Sequence, residues 1–125
     1  MEPLELARYL AALARDKKGF DLLVLDVEAL VGYTSYFVLC SARSERQVQA
    51  IADHLVRTAR TDRRVRPLGT EGLGGRARWA LLDYGDVVVH VFHEEERDFY
   101  DLEGLWQDAP RVSLPAAEPA AKAAT

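Results

Sequence analysis

The sequence predicts one α/β domain, and three observations carry that reading. Two stretches place apolar residues at helical period, three short runs are apolar on both faces and rich in β-branched residues, and the 125-residue chain is 49% hydrophobic and 29% charged. A chain of this size can bury a core without metal or disulfide support.

Leu6, Ala7, Leu10, Leu13 and Ala14 fall on one face of a first helix. Pro3 suits its first turn, and Gly19 after Lys17 and Lys18 is expected to stop it. LLVLDV at 22–27 and YFVLC at 36–40 read as interior strands, with Asp26 the polar exception in the first. Ser44 and Gln47 then stand at capping-box spacing ahead of a second helical stripe, Val48, Ile51, Ala52, Leu55, Val56 and Ala59. Its opposite face, with Glu45, Arg46, Gln49, Asp53, Arg57 and Arg60, reads as solvated.

Residues 65–68 are compatible with a short edge strand bearing Pro67, and GTEGLGGR at 69–76 reads as a flexible connecting loop. The sheet resumes at 77–83. Tyr84 and Gly85, between Asp83 and Asp86, read as a tight turn into VVVHVF at 87–92. From His93 to about Trp106 the residues are helix-compatible, with Phe99, Leu102 and Trp106 spaced as a core stripe. Prolines at 110, 115 and 119 among alanines leave little apolar surface to offset ordering, so the domain is expected to span 1–109 and a disordered tail 110–125.

The totals exclude several classes of function. A net charge of −4 and a pI near 5.4 argue against broad electrostatic binding to nucleic acid, which needs clustered cations. The lone Cys40 cannot form an internal disulfide, and nothing resembles a signal peptide or a run of about 20 apolar residues. A cytoplasmic protein, soluble and off the membrane, is expected.

Chemistry-bearing groups fit structural roles better than catalytic ones. The glycine-rich loop lacks the Lys and Ser/Thr of a phosphate-binding loop, although Glu71 within it could be a contact point. His90 and His93, three apart on a strand, point to opposite faces and do not suit one metal; His54 is expected at the surface. Cys40 ends an apolar strand and reads as a buried inert thiol. Asp83 and Asp86 flank the tight turn, which explains them without a metal. No catalytic residue and no cofactor is expected.

The segment 93–108 differs. It holds seven acids, Glu94, Glu95, Glu96, Asp98, Asp101, Glu103 and Asp108, against the single base Arg97, a balance of about −6. Aromatic residues are interleaved with them, and Arg, Tyr and Trp are the types enriched in interface hot spots. Trp79 and Leu81, on one face of their strand, would add an apolar anchor. The pattern suits docking onto a basic partner.

Four pieces in order carry a family resemblance: TSYFVLCSARSERQVQAIAD at 34–53, EG at 71–72, WALLDYGDVVVHVF at 79–92, and R-x-F-Y-x-L-E-x-L-W-x-D-A at 97–109. Together they resemble the ribosomal silencing factor, or Iojap-related, family. Ser35 departs from it, standing where the family usually has Asp before the Tyr-Phe pair.

The resemblance implies a mixed sheet flanked by helices, similar to a nucleotidyltransferase core without its catalytic residues, and a non-enzymatic role. Family members bind the large ribosomal subunit through ribosomal protein L14 (uL14) and sterically keep the small subunit from joining, lowering translation when nutrients are scarce. By position, Trp79 and Leu81 become apolar anchors, Arg97 and Tyr100 orienting contacts, and Asp101 and Glu103 partners of basic side chains. Sequence-specific nucleic-acid binding is not implied, and a homodimer is implied for the free protein. Two alternatives stay open: a relic nucleotidyltransferase using Asp83 and Asp86 with a divalent ion, and a self-associating scaffold.

Overall fold

The computed structural model describes residues 1–114. In chain order the elements are α1 (Pro3–Asp16), β1 (Phe20–Asp26), α2 (Glu28–Val31), β2 (Tyr36–Ala42), α3 (Glu45–Arg63), β3 (Gly69–Glu71), β4 (Trp79–Asp83), β5 (Val87–His93), α4 (Glu94–Tyr100), α5 (Leu102–Leu105) and β6 (Arg111–Val112). Six strands form one mixed sheet in the order β3-β4-β5-β2-β1-β6. Only the central β2–β5 pair is parallel, as α3, β3 and β4 intervene between those strands; every other pairing is antiparallel.

Strand alternation divides the core in two. Val24, Val38, Cys40, Ala80, Leu82, Val87, Val89 and Val91 meet one face, where α1 and α3 cover them with Leu6, Leu10, Leu13, Val48, Ile51 and Leu55. Alanines at 7, 11, 14, 52 and 59 lie in the same layer and let these helices approach closely. Leu25, Phe37, Leu39, Val88 and Phe92 meet the other face. Among the described residues no long helix covers that second side. Ala109 and half-buried Trp106 pack there, and Leu23, Trp79 and Leu81 stay half-buried.

Local chemistry sets the ends. Ser44 Oγ accepts the Gln47 N–H at 3.0 Å and so caps α3, while Gln47 Oε1 reaches past the cap to accept the Arg43 N–H at 2.7 Å instead of closing the box on Ser44. The Gln47 amide also donates to the carbonyls of Lys17 and Lys18, fastening the loop after α1. Asp83 Oδ1 accepts the Gly85 N–H at 2.8 Å and Gly85 takes φ of +90°, making the expected turn between β4 and β5.

Several boundaries differ from the sequence reading. The left-handed residue after α1 is Lys18, with φ of 65°; Gly19 is required because a Cβ there would collide with Cys40 Sγ and the Ala14 carbonyl. The strand expected at 65–68 forms instead at Gly69–Glu71, where the backbone pairs with β4, and a one-turn helix, α2, stands between β1 and β2. The helix expected through 106 breaks at Asp101, which enters the left-handed region at φ of 46°. Arg111–Val112 pairs with Val24 and Leu25, and the Asp26 N–H donates to the Pro110 carbonyl, so 110–112 belong to the sheet and not to the tail. Residues 115–125 of the expected tail lie outside the described residues. Among the described residues no helix is long and apolar enough to cross a membrane.

Candidate protein-docking face

The second face of the sheet carries a row of rings. Tyr33 lies 6.4 Å from Phe37, Phe37 5.0 Å from His90, His90 5.9 Å from Trp79, Trp79 5.1 Å from Tyr100, and Tyr100 5.0 Å from Phe99, centroid to centroid. Trp106 and Phe92 brace it from Phe37 and Trp79. Tyr33, Phe99, Tyr100 and Leu105 are exposed, at 66%, 79%, 47% and 67%. Phe37 and His90 in its middle are buried, so the row opens to solvent at its ends, and exposed apolar rings on one side of a small domain suit a partner.

Period 2 along β4 and β5 builds the centre. Trp79 and Leu81 project to the same side as His90 and Phe92, and Leu81 stands opposite His90 in the register. Trp79 Nε1–H donates to His90 Nδ1 at 3.2 Å, fixing the indole over the strand. Because Nδ1 accepts, the neutral imidazole carries its proton on Nε2, which is buried and has no partner among the described residues. Burial pushes His90 down to about 4, so it is uncharged at neutral pH.

The α4–α5 corner borders the row. His93 Nδ1 caps α4 by accepting the Glu95 N–H at 3.1 Å, so it and His90 do separate jobs. Arg97 is not an exposed contact: it is 6% exposed and its guanidinium is consumed internally. Nε and Nη2 donate to the Glu103 carboxylate at 3.0 and 3.2 Å, and Nη1 donates to the Asp21 carbonyl and Ser41 Oγ at 2.6 and 2.9 Å. Arg97 and Glu103 therefore lock the corner onto β1 and β2. Asp101 is exposed, and its Oδ1 accepts the Gly104 N–H at 3.2 Å. Phe99, expected in the core, turns outward, and Trp106 is only half-buried; nothing is described of the Leu102 side chain.

Two arginines from elsewhere fold onto the acidic segment. Arg78 bonds Glu95 and Glu96 at 2.8 and 2.9 Å and approaches Glu45 at 3.5 Å, while Arg43 lies 4.0 Å from Glu94. The charge a partner meets is thus smaller than the −6 counted along the chain and concentrates on Asp98, Asp101 and Asp108, all exposed. Next to the corner a cleft of about 360 Å³ is lined by Asp21, Glu94, Asp98, Glu103 and Arg97. Tyr33, Phe37 and His90 join the row; Tyr33 is local to Phe37, and pairing of β2 with β5 sets Phe37 beside His90.

Other candidates resolve into structure. The Gln49 side chain donates to the Gly72 carbonyl at 2.7 Å and accepts the Gly74 N–H at 3.0 Å, so α3 pins the glycine-rich loop instead of leaving it free. Cys40 is buried, and burial pushes its thiol up to about 12. His54 is half-buried, not on the open surface, with Nδ1 3.2 Å from Thr58 Oγ1 and Nε2 3.6 Å from Asp16. Among the described residues no three His, Cys, Asp or Glu side chains are grouped to hold a metal ion.

The similarity to known proteins is extensive. A family model described as "Ribosomal silencing factor during starvation" matches residues 1–125. The ribosomal silencing factor RsfS of Bacillus subtilis is 42% identical over 114 residues, covering 91% of this chain and 95% of that protein. The chloroplastic Iojap protein of Arabidopsis thaliana is 36% identical over 91% of this chain, which spans 47% of its length. A crystal structure of a Chromobacterium violaceum protein superposes with a TM-score of 0.78 at 34% identity, covering 95% of this chain and 98% of that one. Matched along its whole length by the family model, at 42% identity to a relative it almost entirely spans, and with the same fold in solved structures, the chain belongs to the ribosomal silencing factor family.

Proposed function

We propose that this domain docks on the large ribosomal subunit at ribosomal protein uL14 through the aromatic face and, by occupying that space, keeps the small subunit from joining. Translation then falls under nutrient limitation without any chemistry, in the cytoplasm. The observation that carries the reading is the row from Tyr33 to Phe99, exposed at both ends and bordered by the exposed carboxylates of Asp98 and Asp101. Rings supply contact area at low entropic cost, and acids at the rim steer encounter with a basic ribosomal protein. Trp79, Leu81, Tyr100 and Asp101 form the contact set, joined by Tyr33 and Phe99. Arg97 and Glu103 act by positioning the corner that carries Tyr100. In the free protein the same face suits a second copy, and uL14 would compete for it.

Mass action suffices for the effect. Factor present at about 100 times its Kd would disfavour subunit joining by roughly 2.7 kcal/mol if the two events exclude each other. Trp79→Ala is expected to cost on the order of 2 kcal/mol in binding, about thirtyfold, with the fold kept, since Trp79 is half-buried at the surface. Sucrose gradients with added protein test both points: wild type should run with large subunits and deplete joined ribosomes, and Trp79→Ala should do so only at concentrations about thirtyfold higher. An unchanged profile at saturating wild-type protein would sink the proposal.

A further inference from the structure

The net charge of −4 conceals a basic pole. Between positions 57 and 66 the chain carries five arginines, Arg57, Arg60, Arg63, Arg64 and Arg66, and one acid, Asp62. Arg57 and Arg60 stand three apart on the side of α3 turned away from Val48, Ile51, Leu55 and Ala59, which pack on the sheet, and Arg64 follows as the left-handed C-cap at φ of 57°. Arg57 is paired with Asp53 at 3.1 Å, and Arg63 stacks over the Tyr9 ring at 4.6 Å. Arg60, Arg64 and Arg66 are exposed and make no ion pair or side-chain hydrogen bond among the described residues.

Cations do offset the dipole at a helix C-terminus, but within the last turn only. Arg60 and Arg63 meet that need, whereas Arg64 and Arg66 lie beyond the last helical residue. The acidic segment is at the other end of the helix, where Arg78 joins Glu45 to α4. From position 45 to 63, α3 rises about 27 Å at 1.5 Å per residue. That is several times the screening length of roughly 8 Å at physiological salt, so each pole presents its own charge to a partner.

We propose that Arg60, Arg64 and Arg66 form a second, sequence-independent contact with the RNA phosphate backbone of the large subunit. It rests on the docking reading above. The residue type favours RNA over an acidic protein: all the cations of this pole are arginine, whose planar fork matches phosphate oxygens two at a time, and phosphate is what a ribosomal surface offers besides basic protein. The two poles then divide the work. The acidic aromatic face, repelled by phosphate, selects the protein, and the arginine pole holds RNA beside it.

Large-subunit binding of wild type is to be compared, from about 50 to 200 mM salt, with that of an Arg60→Gln, Arg64→Gln, Arg66→Gln triple. A second triple, Lys17→Gln, Lys18→Gln, Arg76→Gln, has the same net charge but removes cations at the other end of α3, beside Gln47 and Glu45, and isolated uL14 serves as an RNA-free partner. The first triple should bind large subunits several-fold more weakly at low salt, with a log–log salt slope smaller by about 2 to 3, and bind isolated uL14 like wild type. A slope equal to wild type overturns the proposal. Equal loss in the second triple assigns the effect to net charge, and equal loss on isolated uL14 assigns it to a protein contact; either also overturns it. Wild type that does not bind large subunits at all overturns the docking reading, and this contact with it.

Discussion

His90 and Arg97 show how a residue's neighbours decide its role. His90 lies beneath the docking face, buried and uncharged, with its Nδ1 holding the Trp79 indole. Its folded value near 4 is below the ordinary 6.5, so between those values the unfolded chain binds more protons. The stabilisation is present above about 6.5 and is lost as pH falls towards 4, on the order of 3 kcal/mol in all. Urea midpoints at pH 7 and pH 4.5 should therefore fall further for wild type than for His90→Asn, which keeps an acceptor near Nδ1 but does not titrate. Equal falls would refute the assignment. At Arg97, removing the guanidinium leaves Glu103, Ser41 Oγ and the Asp21 carbonyl without their buried donor. Arg97→Ala is expected to cost on the order of 3 kcal/mol in thermal unfolding, and Arg97→Lys to recover only part, because one ammonium cannot serve the planar fork's partners. A melting temperature unmoved by Arg97→Ala would contradict the strut.

Elements were legible where pattern and period agreed. The stripe at 48–59 and the Ser44–Gln47 spacing located α3, and the β-branched runs located β1, β2 and β5, because apolar faces of that size must be buried whichever way the chain turns. Short pieces were not legible. β3 has three residues, all exposed, and β6 has two, exposed Arg111 and half-buried Val112, so neither is long enough to carry a hydrophobic signature; backbone hydrogen bonds to a neighbour define them. A chain ended after Ala109 would lose β6 and leave the outer side of β1 unpaired. It should unfold about 1 to 2 kcal/mol more easily than the full chain in urea, through lost ladder bonds, and aggregate faster through the open edge. A truncated chain as stable as the full one would show that β6 contributes nothing.

For the whole molecule, the sequence by itself determined an α/β domain, its main helices and strands, the acidic aromatic segment at 93–108, and the family. Each rests on local order: hydrophobic period, turn chemistry and residues at fixed spacing. Parts of the candidate site were legible in the same way, since Trp79, Leu81, Tyr100 and Asp101 were named from strand alternation and from motif position and do line the second face or its border. Arg97 was misplaced because a charged residue in a charged run reads as solvated, while its partners Asp21 and Ser41 lie 76 and 56 positions away. Only the tertiary structure decided that β2 pairs with β5, which sets Phe37 beside His90 and extends the ring row across the sheet. It also decided that α1 and α3 cover one face and leave the other open, and that the acidic and arginine-rich segments lie at opposite ends of α3. The physical reason is that a surface is made by pairing between distant segments. Local pattern fixes which residues must be buried; long-range strand order fixes which side they share.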